Sequence, residues 1–377
     1  MTRGFPVSEF EARLKRAQSL MAQHGLAALL LTTEPEVRYF TGYLTRFWES
    51  PSRPWFLVVP ASGKPVAVIP SIGAALMRST WIDDIRTWQA PDLKDDGVSL
   101  LVDTLQGFGG PIGVPDGHET HLRMPLADYQ RVGSAVNLTS DHGIMRQLRM
   151  VKSEAEIAKI RTACNIAGRA FARVPEIAQA GIPLETVFRR FQMLCLEEGA
   201  DWVPYLAGGA GPEGYADVIS PATDSPLQQG DILMLDTGLV HDGYFCDYDR
   251  NFAIGAPSDL TRGAHAQLIE ATQAGFEAAK PGATAADVFH AMDRIVTGGR
   301  GSSEAGRLGH GLGMQLTEWP SLIPDDHTVL EAGMVLTLEP GVETRGGNLL
   351  VHEENIVITE TGAEYLSKPY PEKMVVT

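Results

Sequence analysis

Cysteine is scarce: only Cys164, Cys195 and Cys246 occur in 377 residues, odd in number and widely spaced. That excludes a disulfide framework and a thiolate zinc cage, and it points to a reducing compartment, with the cytoplasm as the expectation. Long apolar runs are missing too, and none reaches the roughly 20 residues needed to cross a bilayer. The start, MTRGFPVSEFEARLKRA, has no apolar stretch of the secretory kind. Basic residues are outnumbered, 31 Lys and Arg against 47 Asp and Glu, for a net charge of −16. A surface of that sign repels nucleic acid and anionic lipid, so neither nucleic acid nor membrane is expected as a partner. What remains is ordinary for a globular protein, 44% hydrophobic and 21% charged. The length is excessive for one ordinary domain and comfortable for two.

Ser8 and Glu11 fit a capping box, and Phe10, Leu14, Ala17 and Met21 form a helical stripe that Gly25 ends. AALLLTT, PWFLVVP and PVAVIP read as short buried strands. Strands and helices then alternate to about residue 145, which predicts a small α/β domain over 1–150. A second capping box, Ser153 with Glu156, opens a long helix with Ile157, Ile160, Cys164, Ala167, Phe171 and Val174 on its apolar face. The boundary is set just before it, leaving 151–377 for the second domain. Beyond Pro183 another amphipathic helix passes Val187, Phe191 and Leu194 to Gly199. LAGGAGPEGYADV is Gly-rich but lacks a P-loop lysine, so it reads as a loop packed near a site.

An internal repeat organises the second domain. LQQGDILMLDTG at 227–238 and LEAGMVLTLEPG at 330–341 align without gaps, with five of twelve positions identical and Asp236 matched to Glu339. Each copy is a turn glycine followed by a strand that delivers a carboxylate near its end. A second strand with another acid follows each, Asp247 in the first half and Glu353 in the second. Two related halves would then set four acids around a pseudo-two-fold axis.

Asp236 and Asp247 flank Asp242-Gly243, a strong hairpin signal, so the two acids fall on neighbouring antiparallel strands. A pair of solvated acids on a hairpin is the plain alternative. Against it, Asp236 follows ILML and Glu339 follows VLTL, apolar runs that should be buried, and a buried carboxylate needs a cation or several donors. His310 sits in GRLGHGLGMQ, between glycines that allow close approach. Four acids and one imidazole form a hard-oxygen set that suits two divalent ions, manganese foremost, with zinc, cobalt or iron as alternatives. Two such ions about 3.5–4 Å apart can hold a water and lower its pKa toward about 7.

The pieces DTGLVHDGYFCDYDRNF, GHGLGM, LTLEPG and VHEENIVITETG resemble, in order, the metal motifs of the pita-bread metallopeptidase family. That family includes aminopeptidase P, prolidase, methionine aminopeptidase and creatinase. GLAALLLTTEPEVRYFTGY resembles the amino-terminal domain of creatinase and prolidase, and MVKSEAEIAKIRTA resembles the linker helix that follows it. The resemblance covers nearly the whole chain. It implies an α/β amino-terminal domain and an α+β pita-bread catalytic domain with pseudo-two-fold halves. It also implies that Asp236 holds one metal, that His310 and Glu339 hold the other, and that Asp247 and Glu353 bridge both. A bridging water would be the nucleophile, with Glu339 taking its proton.

Several positions depart from the family pattern. Thr317 stands where a second histidine is usual, and no histidine lies between His142 and His241. Asp249 replaces a threonine and Val351 an arginine. These family groups position a peptide carbonyl, so their loss bears on the substrate. The expected activity is hydrolysis of a small amide, Xaa-Pro dipeptides foremost. An ectoine hydrolase-like or dimethylsulfoniopropionate lyase-like reaction is the alternative, with a non-catalytic binding protein less favoured. Asp249 could be an extra ligand or could pair with a cation, and Arg345 could bind a substrate carboxylate or simply be solvated. Thr317 completes the substrate-binding candidates of this domain. In dimeric relatives the amino-terminal domain reaches toward the partner's site, so a homodimer is expected. Trp48 and Trp55 in YLTRFWESPSRPW could close the neighbour's pocket or could pack a domain interface.

Overall fold

Short apolar runs bounded by turn residues build the sheet of the first of two units, Met1–Arg149 and Met150–Thr377. The computed structural model describes residues 3–50, 54–300 and 306–377. In the first unit the strands are β1 (Ala28–Leu31), β2 (Phe56–Pro60), β3 (Val66–Pro70), β4 (Asp84–Trp88), β5 (Ile112–Val114) and β6 (Leu138–Ser140). They form one mixed sheet in the order β4-β3-β2-β1-β5-β6. AALLLTT, PWFLVVP and PVAVIP all lie in it as expected, and every residue of β1, β2 and β3 is buried. Helices α1 (Val7–His24), α2 (Glu34–Thr41), α3 (Ala74–Met77), α4 (Val98–Gln106), α5 (Leu126–Ala135) and α6 (Ile144–Met150) accompany the strands.

α1 buries the expected stripe, Phe10, Leu14, Ala17 and Met21, but it does not start on the Ser8–Glu11 box. Pro6 is the N-cap, its φ of −65° already set for entry, so Ser8 falls inside the first turn and caps nothing. In the aromatic segment, Pro51–Arg53 lie outside the described residues. Trp48 and Trp55 are 8% and 1% exposed, with ring centroids 5.7 Å apart, and Tyr43 lies 5.5 Å from Trp55. Both tryptophans therefore pack inside their own unit.

The second unit has two matched halves. The first pairs α7 (Glu154–Ala172) and α8 (Leu184–Glu197) with β7 (Trp202–Pro212), β8 (Asp231–His241), β9 (Tyr244–Phe245) and β10 (Tyr248–Ala253). The second pairs α9 (Asp259–Ala278) and α10 (Ala285–Val296) with β11 (His310–Gly311), β12 (Glu318–Ser321) and β13 (Val335–Leu338). It continues through β14 (Gly341–Glu343), β15 (Leu349–Val351), β16 (Glu354–Ile358) and β17 (Ala363–Tyr365), and the short β18 (Val375–Val376) returns to the first half. The sheets run β18-β10-β8-β7 and β12-β11-β13-β16-β17, so repeat copies β8 and β13 each sit inside a sheet. Each half has its own core. Phe171 packs on Phe191 and Tyr248 at centroid distances of 4.9 and 5.2 Å, while Phe289 and Met292 of α10 pack with Leu336, Leu338 and Ile356.

LAGGAG is a strand, not a loop: 206–211 lie within β7, paired antiparallel to β8. The glycines allow the strand to press close. Gly208 has φ +146°, and a Cβ there would lie 2.1 Å from the Met234 carbonyl oxygen. Among the described residues no helix is long and apolar enough to cross a membrane.

The capping box at α7 forms in full. The Ser153 hydroxyl accepts from the Glu156 amide at 3.3 Å, and the Glu156 carboxylate accepts from the Ser153 amide at 2.9 Å. Ser153→Ala should lower unfolding free energy by about 1 kcal/mol, as an N-cap loss does. Urea denaturation checks this, and an unchanged midpoint would show that the cap contributes nothing.

Candidate metal centre

The site is assembled from strand ends. β8 carries Asp236 behind a fully buried ILML run, and the Asp242-Gly243 pair (φ 48° and 82°) then reverses the chain. Two successive positive φ values are what a tight hairpin turn of type I′ requires. The chain returns past Asp247 into β10, antiparallel to β8, with Asp249 directly opposite Asp236. In the second half, Glu339 follows β13 and Glu353 precedes β16, two adjacent antiparallel strands. His310 opens β11 after Gly309, whose φ is +139° and whose Cβ, were there one, would lie 2.2 Å from the Thr337 carbonyl oxygen.

The five candidate ligands come from both halves, and the structure brings the ligand atoms of three of them together. Single ligand atoms of Asp247, His310 and Glu353 lie within 4.8 Å of one another. His310 Nε2 is 3.4 Å from Asp247 Oδ2. His310 Nδ1 lies 2.9 Å from the Gly311 carbonyl, which as acceptor fixes the proton on Nδ1 and leaves Nε2 to act as ligand atom. Asp236, Asp247, His310 and Glu353 are all buried, whereas Glu339 is only half-buried.

Burial is the largest cause raising the carboxyls of Asp236, Asp247 and Glu353 well above the ordinary range. Mutual repulsion adds to it: Asp247 acts on Asp236 and Glu353, and Glu339 acts on Asp247. The Glu339 carboxyl is pushed up to about 7, by burial first and by Asp236, against the opposing effect of His310 and Arg307. Asp236 Oδ1, Asp247 Oδ1 and Glu353 Oε1 are buried without a hydrogen-bond partner among the described residues. Acids so crowded, with oxygens so left over, are tenable together when cations neutralise them. Four carboxylates and an imidazole fit divalent metal ions.

Four further residues serve the site, and the sequence reading did not find them. Asn355 accepts from the Asp247 amide at 3.0 Å and donates to the Asp247 carbonyl, so one side-chain amide engages both backbone groups of a candidate ligand. Arg250 Nη1 donates to the Asp249 and Glu353 carbonyls at 2.7 and 2.9 Å, while Nη2 donates to Glu354 at 2.9 Å. Tyr205 donates to Asp236 Oδ2 at 2.9 Å. Arg307, half-buried, favours ionisation of Asp247 and Glu339. Arg307, Arg250 and Asn355 each lie within three residues of a candidate ligand in the sequence, whereas Tyr205 had no such signal.

The substrate candidates are scattered. Asp249 is 2% exposed and faces Asp236. Thr317 is half-buried and accepts from Arg307 at 3.1 Å. Arg345 is a solvated loop residue, its side chain 80% exposed and 4.0 Å from Glu213. Trp48 and Trp55 lie in the aromatic packing of the first unit, described above.

Fold and donor set define a metal-dependent hydrolase of the pita-bread type. The chain belongs to metallopeptidase family M24, whose model matches residues 158–360, and the creatinase/prolidase N-terminal domain matches residues 13–151. The probable dipeptidase PepE of Mycobacterium bovis is 31% identical over 366 residues, covering 96% of this chain and 95% of that protein. The crystal structure of dipeptidase PepE from Mycobacterium ulcerans has a TM-score of 0.85 at 30% identity and covers 99% of each chain. An Xaa-Pro dipeptidase of Pyrococcus furiosus is 32% identical over 232 residues, 60% of this chain and 65% of that protein. Family membership implies divalent metal ions.

Gly309→Ala should displace His310, because backbone at a positive φ would have to move away from Thr337. The expected outcome is a stability loss of about 1–3 kcal/mol and Mn²⁺ binding weakened about tenfold or more. Calorimetric titration of the metal-free protein reads the second effect, and wild-type affinity in the variant would contradict the placement of His310.

Proposed function

We propose that this chain is a dinuclear metal-dependent dipeptidase that hydrolyses a small amide, Xaa-Pro dipeptides foremost. The observation that carries the reading is the set of buried, unpartnered carboxylate oxygens on Asp236, Asp247 and Glu353 beside His310. Asp236 would hold one ion and His310 with Glu339 the other, with Asp247 and Glu353 between them. The ions, when bound, would supply Lewis-acid polarisation of the substrate carbonyl and acidification of a water that would serve as nucleophile. Manganese is the proposed metal, because the donors are hard oxygens with a single imidazole. Catalysis is assigned to residues 151–377, the assembly to a homodimer and the compartment to the cytoplasm, where three buried free cysteines remain reduced.

Glu339 is the acid–base group in this reading. It is the least buried of the five, which leaves its carboxylate the most accessible to take a proton and return it to a leaving amine. Arg307, near Asp247 and Glu339 and steadied by Thr317, would receive the substrate's carboxylate, the role the sequence had offered to Arg345. A second reading, a non-peptide substrate of the ectoine hydrolase or dimethylsulfoniopropionate lyase kind, draws on Thr317 and Val351. They stand where the family resemblance expects a histidine and an arginine.

Glu339→Ala should lower kcat at least about 100-fold while the protein still folds and assembles. Full turnover of Xaa-Pro dipeptides by the Mn²⁺-loaded variant would refute its role. Arg307→Ala should raise KM for dipeptides about tenfold, the equivalent of one charge-assisted hydrogen bond, with a smaller change in kcat. An unchanged KM would remove Arg307 from the substrate site. Mn²⁺-loaded wild type that cleaves no Xaa-Pro dipeptide would shift the assignment to the non-peptide reading.

A further inference from the structure

Asp249 is a carboxylate beyond the four that the dinuclear reading uses, and its Oδ1 has no hydrogen-bond partner among the described residues. It lies on β10, two residues after Asp247, which precedes that strand. Of the two, Asp249 is the one directly opposite Asp236 across the β8–β10 pair. Directly opposed residues bring their Cβ atoms to about 4.5–5.5 Å, and like charges so placed destabilise a sheet. Both are buried, Asp236 at 9% and Asp249 at 2% exposure. In each, Oδ1 is buried and has no hydrogen-bond partner among the described residues.

The neighbouring polar groups make no hydrogen bond to either of these two oxygens. The Arg250 guanidinium donates to the carbonyls of Asp249, Glu353 and Lys368 and to the Glu354 carboxylate. His352 Nδ1 is 4.0 Å from Asp249 Oδ1, beyond hydrogen-bond reach. The Tyr205 hydroxyl donates to Asp236 Oδ2 and leaves Oδ1 untouched. A cation between two opposed buried acids would neutralise both and take up their unpartnered oxygens.

Resting on the dinuclear reading above, we propose that Asp249 is a sixth protein ligand of the metal centre and binds the ion held by Asp236. That ion then sits among carboxylate oxygens with no imidazole, which favours Mn²⁺ over Zn²⁺ at this position.

The test is Mn²⁺ titration of metal-free wild type, Asp249→Asn, Asp249→Thr and Asp236→Asn, read by calorimetry and by thermal melting. Wild type should bind two Mn²⁺, and all three variants should weaken the same one, about tenfold or more. Metal-free Asp249→Asn should melt above metal-free wild type, because the opposed charges are gone, yet gain less on Mn²⁺ addition. A merely structural residue would not move those two temperatures in opposite directions. If Asp249→Asn and Asp249→Thr bind both ions as wild type does, the proposal is overturned; the threonine variant serves should the asparagine variant fail to fold. One ion in wild type would overturn the dinuclear reading alone, and Asp249 would then stand or fall on whether its variants weaken that ion. Wild type that binds no Mn²⁺ would overturn both.

Discussion

Repulsion among carboxylates buried close together is the constraint around which the second unit is arranged. Asp236, Asp247 and Glu353 are inside the protein; Asp247 raises the proton affinity of Asp236, and both raise that of Glu353. Without cations such a cluster opposes folding, and with them it would tie the two halves together. The acids come in pairs from two matched strand arrangements, so neither half can form the site alone.

The surrounding residues hold that arrangement against its own charge. Asn355 presents its amide to the backbone of Asp247 as a neighbouring strand would, and Arg250 fastens the carbonyls of Asp249 and Glu353 with one nitrogen. Gly309 lets the backbone before His310 run against Thr337, where any side chain would collide. These groups position candidate ligands through the main chain, which preserves the carboxylate oxygens for metal.

What the sequence revealed follows from how local its signals are. The repeat around Asp236 and Glu339, the turn at Asp242-Gly243 and the Ser153 cap are all written in adjacent residues, and each lies where expected. The reading erred where a local pattern was real but a stronger one lay beside it. Pro6 starts α1 ahead of Ser8, and the glycines of LAGGAG mark a strand in close approach, not a loop. Asn355, Arg250 and Tyr205 were missed because their meaning depends on partners 31 to 108 residues away. Arg345 drew attention by its Gly-flanked loop, yet a flexible setting on the surface gives an arginine no particular partner. Arg307 lies inside the same motif as His310 and donates to Thr317.

The seam made by Asn355 has a consequence for how this unit comes apart. Its amide joins a strand of the first half to a strand of the second at the very residue that supplies a carboxylate, so the halves cannot part without disturbing that carboxylate. Breathing of the scaffold and release of a bound ion would then be one event. The chain would therefore keep its ions by the slowness of its own opening as much as by the strength of any single bond to them.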